Sequence, residues 1–234
     1  MLILGFDTTA VACSVALIEE NRILSEIQLN RGSKHSEQLL PVIDNVFKLA
    51  KKDLSQVDLI AVSAGPGSFT GVRIAAATGK SLAQAQDKKI IQINSLDALA
   101  QNIMAEDALI VPLLDARKNE FYTGWYRFTE GKMEKIKEDY AVSPENLFKE
   151  LKDEKKVYFL GENVEKCRDE IKTSLGSKAV ILSPLYSGIR GAAVAFLAME
   201  KYKNKDFADY YTLAPVYLRK PEAELTWEEK NSGR

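Results

Sequence analysis

The sequence predicts an α/β protein, with a mixed sheet carrying helices on its faces and a second, smaller unit of the same kind after it. Three observations carry this expectation. Over residues 1–105 the apolar stretches follow the order βββαβαβα. Within that order, a short strand, a glycine turn and a long helix run together from Val57 to Gln86. From near Ala108 a comparable succession of elements follows, with no repeat of the sequence itself.

Leu2 to Asp7 is an apolar strand ending in Asp7-Thr8-Thr9. Ala10 to Glu19 alternates Ser14, Ala16 and Ile18 with Val15 and Leu17, which predicts a second strand. Glu20-Asn21 turns the chain into a third strand, Ile23 to Leu29, completing an antiparallel meander. Arg31-Gly32-Ser33 breaks the pattern, and a helix is expected from His35 to Lys51. Its apolar positions are Leu39, Leu40, Val42, Ile43, Val46, Phe47, Leu49 and Ala50. At about 100° per residue these cover about half the circumference, more than one sheet requires, so a second partner surface is expected. Leu40 with Phe47, and Val42 with Leu49, form rows on either side of the central one. One row should complete the core and the other should face a partner.

Val57 to Ser63 reads as a strand, followed by Gly65-Pro66-Gly67-Ser68. The glycines permit backbone angles closed to other residues, Pro66 fixes one φ, and Ser68 is placed to cap the next helix. In that helix, Phe69 to Gln86, the residues Gly71, Ala75, Gly79 and Ala83 form one row of small side chains that lets another backbone come close. Arg73 and Lys80 interrupt it, which rules out a membrane span. Ile90 to Asn94 is a strand, and Ser95 is expected to cap a helix reaching Met104.

The second unit should contain strands at Leu109 to Asp115, Glu120 to Thr129, Lys132 to Val142, Val157 to Gly161 and Ala179 to Leu182. Ser143-Pro144-Glu145 is a helix start, Val164 to Ser174 a charged helix, and Gly191 to Lys203 an Ala-rich one. The expected division is 1–105, 106–205 and a C-terminal segment 206–234 that returns to the first unit, with a polar, fraying tail after Arg219.

Composition narrows the function classes. With 32 basic and 33 acidic residues the net charge is -1, so no general basic field holds nucleic acid. No charged leader precedes the first strand, and Cys13 and Cys167 form no CxxC; both features predict a cytoplasmic protein with buried free thiols.

The chemistry candidates are few. Asp7-Thr8-Thr9 and the Gly65/Gly67 turn offer hydroxyls, N–H groups and a carboxylate of the kind that hold phosphate or Mg²⁺, although each also reads as an ordinary turn. Gly79-Lys80-Ser81 ends like a P-loop, but Ile74 stands where that motif needs glycine, and the stretch is helix interior. His35 is the sole histidine, HExxH and GxSxG are absent, and no catalytic zinc is expected.

The segments LGFDTTAVACSVAL, KHSEQLLPVID, AVSAGPGSFTGVRIAAATGKSLA, INSLDALA and APVYLR together resemble the TsaB family, also called YeaZ, over nearly the whole chain. The GPGSFTGVR segment is the specific part. The resemblance implies two ribonuclease-H-like lobes of the actin, sugar-kinase and heat-shock ATPase superfamily. It further implies a non-catalytic scaffold that pairs with the catalytic relative TsaD. With the ATPase TsaE, the pair installs threonylcarbamoyl on adenosine 37 of tRNA, which this chain meets only through the complex. In TsaD the corresponding helix start carries HMEGH, whose histidines hold the metal; here Ser95 and Leu99 stand at those positions, and Leu99 cannot ligate.

The resemblance also places the heterodimer, and the homodimer of the subunit alone, on the helix pair. From the first helix it draws Leu39, Leu40, Val42, Ile43, Val46, Phe47 and Leu49. From the second it draws Phe69, Gly71, Val72, Arg73, Ala75, Ala76 and Gly79. Asp7, Thr8, Thr9, Gly65 and Gly67 remain as vestigial nucleotide contacts, compatible with weak ATP or ADP binding and with no required cofactor. The competing class is a small-molecule kinase or ATPase of the same superfamily; a metalloprotease lacks its ligands.

Overall fold

A computed structural model of the chain describes residues 1–32, 34–207, 210–211 and 213–218. The first sheet is built from β1 (Leu2–Asp7), β2 (Cys13–Glu19), β3 (Arg22–Leu29), β4 (Leu59–Ser63) and β5 (Lys89–Ile93), in the order β3-β2-β1-β4-β5. β1, β2 and β3 pair antiparallel as the expected meander, whereas β4 and β5 run parallel to β1. The crossovers are α1 (His35–Ala50) and α2 (Phe69–Gln86), followed after β5 by α3 (Ser95–Ala100).

The second sheet contains β6 (Leu109–Pro112), β7 (Leu114–Arg117), β8 (Glu120–Thr129), β9 (Lys132–Val142), β10 (Val157–Leu160) and β11 (Ala179–Ile181). Its order is β11-β10-β6-β8-β7, with β9 pairing β8. The helices of this half are α4 (Pro144–Glu150), α5 (Arg168–Leu175) and α6 (Gly191–Lys203). Two mixed sheets with this connectivity are the ribonuclease-H-like pair that the element order predicts.

The period-2 alternation of the strands sorts the core into layers. On β1, Leu2, Leu4 and Phe6 point toward α1 and α2 and join Val15, Leu17, Ile60 and Val62 there. Ile3 points the other way, into a second core with Ala16, Ile18, Leu59, Ala61 and Ile91. That second core also holds Ile110, Tyr126 and Leu160 of the other sheet, with α3 and α6 between. The outer face of the second sheet packs Val111, Val157 and Phe159 against Leu147, Phe148 and Ile171 of α4 and α5. The result is five layers, helix–sheet–helix–sheet–helix, in which both sheets are covered on both faces. This is why their inner strands read as nearly continuous apolar runs.

Several expected boundaries shift, each for a local reason. β2 begins at Cys13 rather than Ala10, because the Asp7 carboxylate accepts the N–H groups of Thr9 and Ala10 and bends that stretch into a turn. The strand expected at Leu109 to Asp115 is two, β6 and β7, broken at Leu113, whose N–H donates to the Leu160 carbonyl. Asn94, not Ser95, caps α3: its side chain accepts from Leu96 and Asp97 N–H, and Ser95 is already helical. α3 stops at Ala100, and two residues on the Asn102 side chain donates to the Tyr186 and Gly188 carbonyls.

The sequence reading grouped α6 with residues 106–205, yet its N-terminal turn lies directly on β1 and β2. A Cβ on Gly5 would come within 2.5 Å of the Gly191 carbonyl oxygen, so only paired glycines allow this approach. Gly191 N–H donates to Ser14 Oγ and Ala192 N–H to Glu26 Oε1, satisfying two of the first-turn amides. The chain also returns to the first sheet at its end: Gln92 Nε2 donates to the Ala214 carbonyl and Val216 N–H to that of Ala64. The polar tail after Arg219 lies outside the described residues.

Candidate functional site

Two features in the first sheet's half hold the residues that the sequence singles out. One is the cluster of turns at the C-terminal ends of β1 and β4. The other is the outer surface of α1 and α2.

In the first, the parallel pairing of β1 with β4 brings Asp7-Thr8-Thr9 beside the Gly65-to-Ser68 turn. The groups that could meet a phosphate are hydrogen-bonded within the chain. Thr8 Oγ1 donates to the Gly71 carbonyl at 2.7 Å. Thr9 Oγ1 donates to Asp7 Oδ1 at 2.6 Å and lies 2.8 Å from Ser95 Oγ. Ser68 N–H donates to the Thr9 carbonyl at 2.7 Å, and Ser95 N–H to that of Gly65 at 2.9 Å. A Cβ on Gly67 would stand 2.5 Å from the Thr9 carbonyl oxygen. On Gly71 it would fall far inside contact with that of Thr8. These glycines therefore serve close backbone approach, and Asp7, Thr8 and Thr9 are buried. Burial pushes the Asp7 carboxyl above its usual range, a shift held back by the Thr9 hydroxyl and by the Thr9 and Ala10 N–H groups.

Two residues close the β1–β2 turn. His35, expected as a polar residue of the helix's first turn, is buried, with Nε2 3.0 Å from the Ala10 carbonyl oxygen. Its Nδ1 has no partner among the described residues. The other is Glu162, which sequence reasoning missed. It follows β10, and both its carboxylate oxygens accept the Val11 N–H, at 2.9 and 3.0 Å. Its only signal was an acid after Gly161 at the end of an apolar strand, too common a pattern to single out.

The metal implied by the catalytic relative does not fit the residues at the corresponding positions. Leu99 is an aliphatic side chain within the central core, and the Ser95 hydroxyl is engaged with Thr9. Among the described residues no three His, Cys, Asp or Glu side chains are grouped to hold an ion. Cys13 and Cys167 are buried free thiols; burial pushes Cys13 up to about 12 and Cys167 up to about 11.

On the helix pair the structure divides the expected interface residues. Leu39, Val42, Ile43, Val46 and Phe47 lie in the core under α1. Gly71, Val72, Ala75, Ala76 and Gly79 are buried under α2. The small-residue row of α2 is turned to the chain's own sheet: a Cβ on Gly79 would meet Val62 and Ile90 side chains at 2.6 and 2.9 Å. Of the expected residues, only Leu40, Leu49, Phe69 and Arg73 have surface to offer. The expected rows fail as pairs, since Leu40 is exposed and Phe47 buried, while Val42 is buried and Leu49 exposed. Position along the axis decides as much as angle around it, because α1 lies over β2 and β3 and meets α2 alongside. At the start of α2, Tyr217 stacks on Phe69 with ring centres 5.1 Å apart. Its hydroxyl accepts from Arg73 Nε at 3.0 Å, and the Arg73 guanidinium sits 3.8 Å from the Phe69 ring centre. Sequence reasoning missed Tyr217 because its contacts are 144 residues distant.

Known proteins share this chain's sequence and fold. The family model for tRNA N6-adenosine threonylcarbamoyltransferase, TsaD, matches residues 22–227. The tRNA threonylcarbamoyladenosine biosynthesis protein TsaB of Bacillus subtilis is 35% identical over 98% of this chain and 99% of that protein. Its namesake in Haemophilus influenzae is 29% identical, over 98% of this chain and 97% of its own. Among solved structures, YeaZ from Pseudomonas aeruginosa superposes with a TM-score of 0.78 at 27% identity, covering 93% of this chain and 99% of that one.

Proposed function

This chain belongs to the TsaB family of tRNA threonylcarbamoyladenosine biosynthesis proteins, and we propose that within that biosynthesis it is a non-catalytic subunit whose task is to hold the catalytic partner. The partner is TsaD, met through the outer surface of α1 and α2; TsaE joins the pair, and tRNA is met only in the complex. In the absence of TsaD the same surface pairs two copies of the chain. All of this takes place in the cytoplasm.

The observation that carries the reading is the state of the β1 and β4 turns. Phosphoryl or carbamoyl chemistry needs polar groups aimed at a reactant. Here Asp7, Thr9 and Ser95 are aimed at one another and Thr8 at the Gly71 carbonyl, and Leu99 stands where a metal ligand would be needed. Affinity for ATP or ADP is correspondingly weak. The helix pair supports the partner reading from the other side. Leu40 and Leu49 are largely exposed on a helix whose remaining large apolar residues are covered. Capture of TsaD and TsaE on the tagged full-length chain from its native cell, identified by mass spectrometry, tests the reading. Recovery of neither, together with ATP turnover at about 1 s⁻¹ or faster that is lost in Asp7→Ala, would favour the kinase or ATPase class instead.

A further inference from the structure

A backbone turn that presents free N–H groups attracts anions. In the turn between β1 and β2 Asp7 takes the Thr9 and Ala10 N–H groups, and the Val11 N–H beyond them holds the chain's own Glu162. The contact spans 151 residues and joins the two halves of the molecule, from the end of β10 in the second sheet to the turn of the first. Glu162 is well placed to reach it. Gly161 adopts φ +119, and a Cβ there would collide with the Leu113 carbonyl, so the turn after β10 is pressed onto the β6–β7 junction and its direction is fixed. A second carboxylate also joins distant parts of the chain, where Glu26 of β3 accepts the Ala192 N–H in the first turn of α6 and pairs with Arg190.

We propose that Glu162 is an internal anion that occupies the β1–β2 turn, latches the second half of the chain to the first, and keeps phosphate groups, free or carried by a nucleotide, out of that turn. The latch is held at a cost. Burial, with the Asp7 charge adding to it, raises the Glu162 carboxyl above its usual range, while the Val11 and Ala12 N–H groups and Lys166 act the other way. A group held against such a cost is one that a stronger anion could displace, or that a substitution could remove without unfolding the chain.

The test uses the full-length protein as wild type, Glu162→Gln and Glu162→Ala, with melting temperature as the control for folding. Glu162→Gln keeps the size of the side chain and removes its charge, so it serves if Glu162→Ala fails to fold. Inorganic phosphate and ADP are titrated separately by calorimetry, and exchange of the Val11 amide hydrogen is followed without ligand. The proposal expects faster Val11 exchange in the folded variants. It also expects affinity for at least one probe to rise by about tenfold, which is about 1.4 kcal/mol. A gain with both probes assigns the turn to phosphate itself, and a gain with ADP alone assigns it to a nucleotide's phosphates. Unchanged Val11 exchange, or affinities for both probes within about twofold of wild type, overturns the proposal.

Discussion

Replacing Leu40 or Leu49 with glutamate separates the outer surface of α1 from its core. In the isolated chain these side chains are 57% and 68% exposed, whereas Val42 is 5% exposed. Fully burying a leucine contributes about 1.5–3 kcal/mol, so covering the remainder of either one contributes about 1–2 kcal/mol. A carboxylate in the same place forfeits that and adds its own desolvation, so partner affinity should fall by about 10- to 100-fold. The two positions lie nine residues apart, about 180° around the helix, on opposite flanks of the buried arc. One joining surface need not use both. The account therefore expects both variants to melt near wild type, and at least one to lose TsaD binding and homodimerisation in sedimentation and surface-binding measurements. Val42→Glu, by contrast, puts an unpaired charge in the core and should unfold a chain of ordinary stability, about 5–15 kcal/mol. If Leu40→Glu and Leu49→Glu both assemble as wild type does, or both unfold, α1 is not the joining element.

Gly71→Ala should destabilise the fold by about 3 kcal/mol, seen as a lowered denaturation midpoint, because the added methyl strikes the Thr8 carbonyl; a neutral result would mean that the two turns separate easily. The Asp7 carboxyl is raised in the folded state, so its contribution to stability is full below its unfolded value and is lost as pH rises through the folded one. The melting temperature of Asp7→Asn relative to wild type should accordingly increase from pH 4.5 to pH 7.5, and a flat or falling difference would contradict this. Elemental analysis of protein purified from its native cell should show no stoichiometric zinc or iron, given the buried Leu99 and engaged Ser95 at the ligand positions of the catalytic relative.

The parts of this fold written as local periodicity were legible in the sequence. β1, α2, β8, β9 and α6 occupy their expected spans because alternation or the helical period persists through them. Boundaries governed by contacts distant in sequence were not legible. Nothing near Leu113 announces that its N–H will bond Leu160 and divide a strand, and nothing near Gly191 announces a fit against Gly5. The candidate site divides in the same way. Asp7, Thr9 and Gly67 were identified by residue type, and the structure does bring them together. Their mutual hydrogen bonds, and the arrival of Glu162 and Tyr217, depend on the packing of whole layers. In α1 the period gave the apolar positions but not their covering, since a helix pattern contains no information about where the sheet beneath it ends.

The most direct measurement of the central claim is reconstitution of threonylcarbamoyladenosine on unmodified tRNA, with an activated threonylcarbamoyl donor supplied, with the TsaD and TsaE of the same cell, and with the chain present, absent or alone. The account predicts modified nucleoside only when the chain and TsaD are both present, undiminished by Glu162→Gln and reduced by the α1 variant that loses TsaD. Modification by the chain alone, or full modification without it, would contradict a non-catalytic partner subunit.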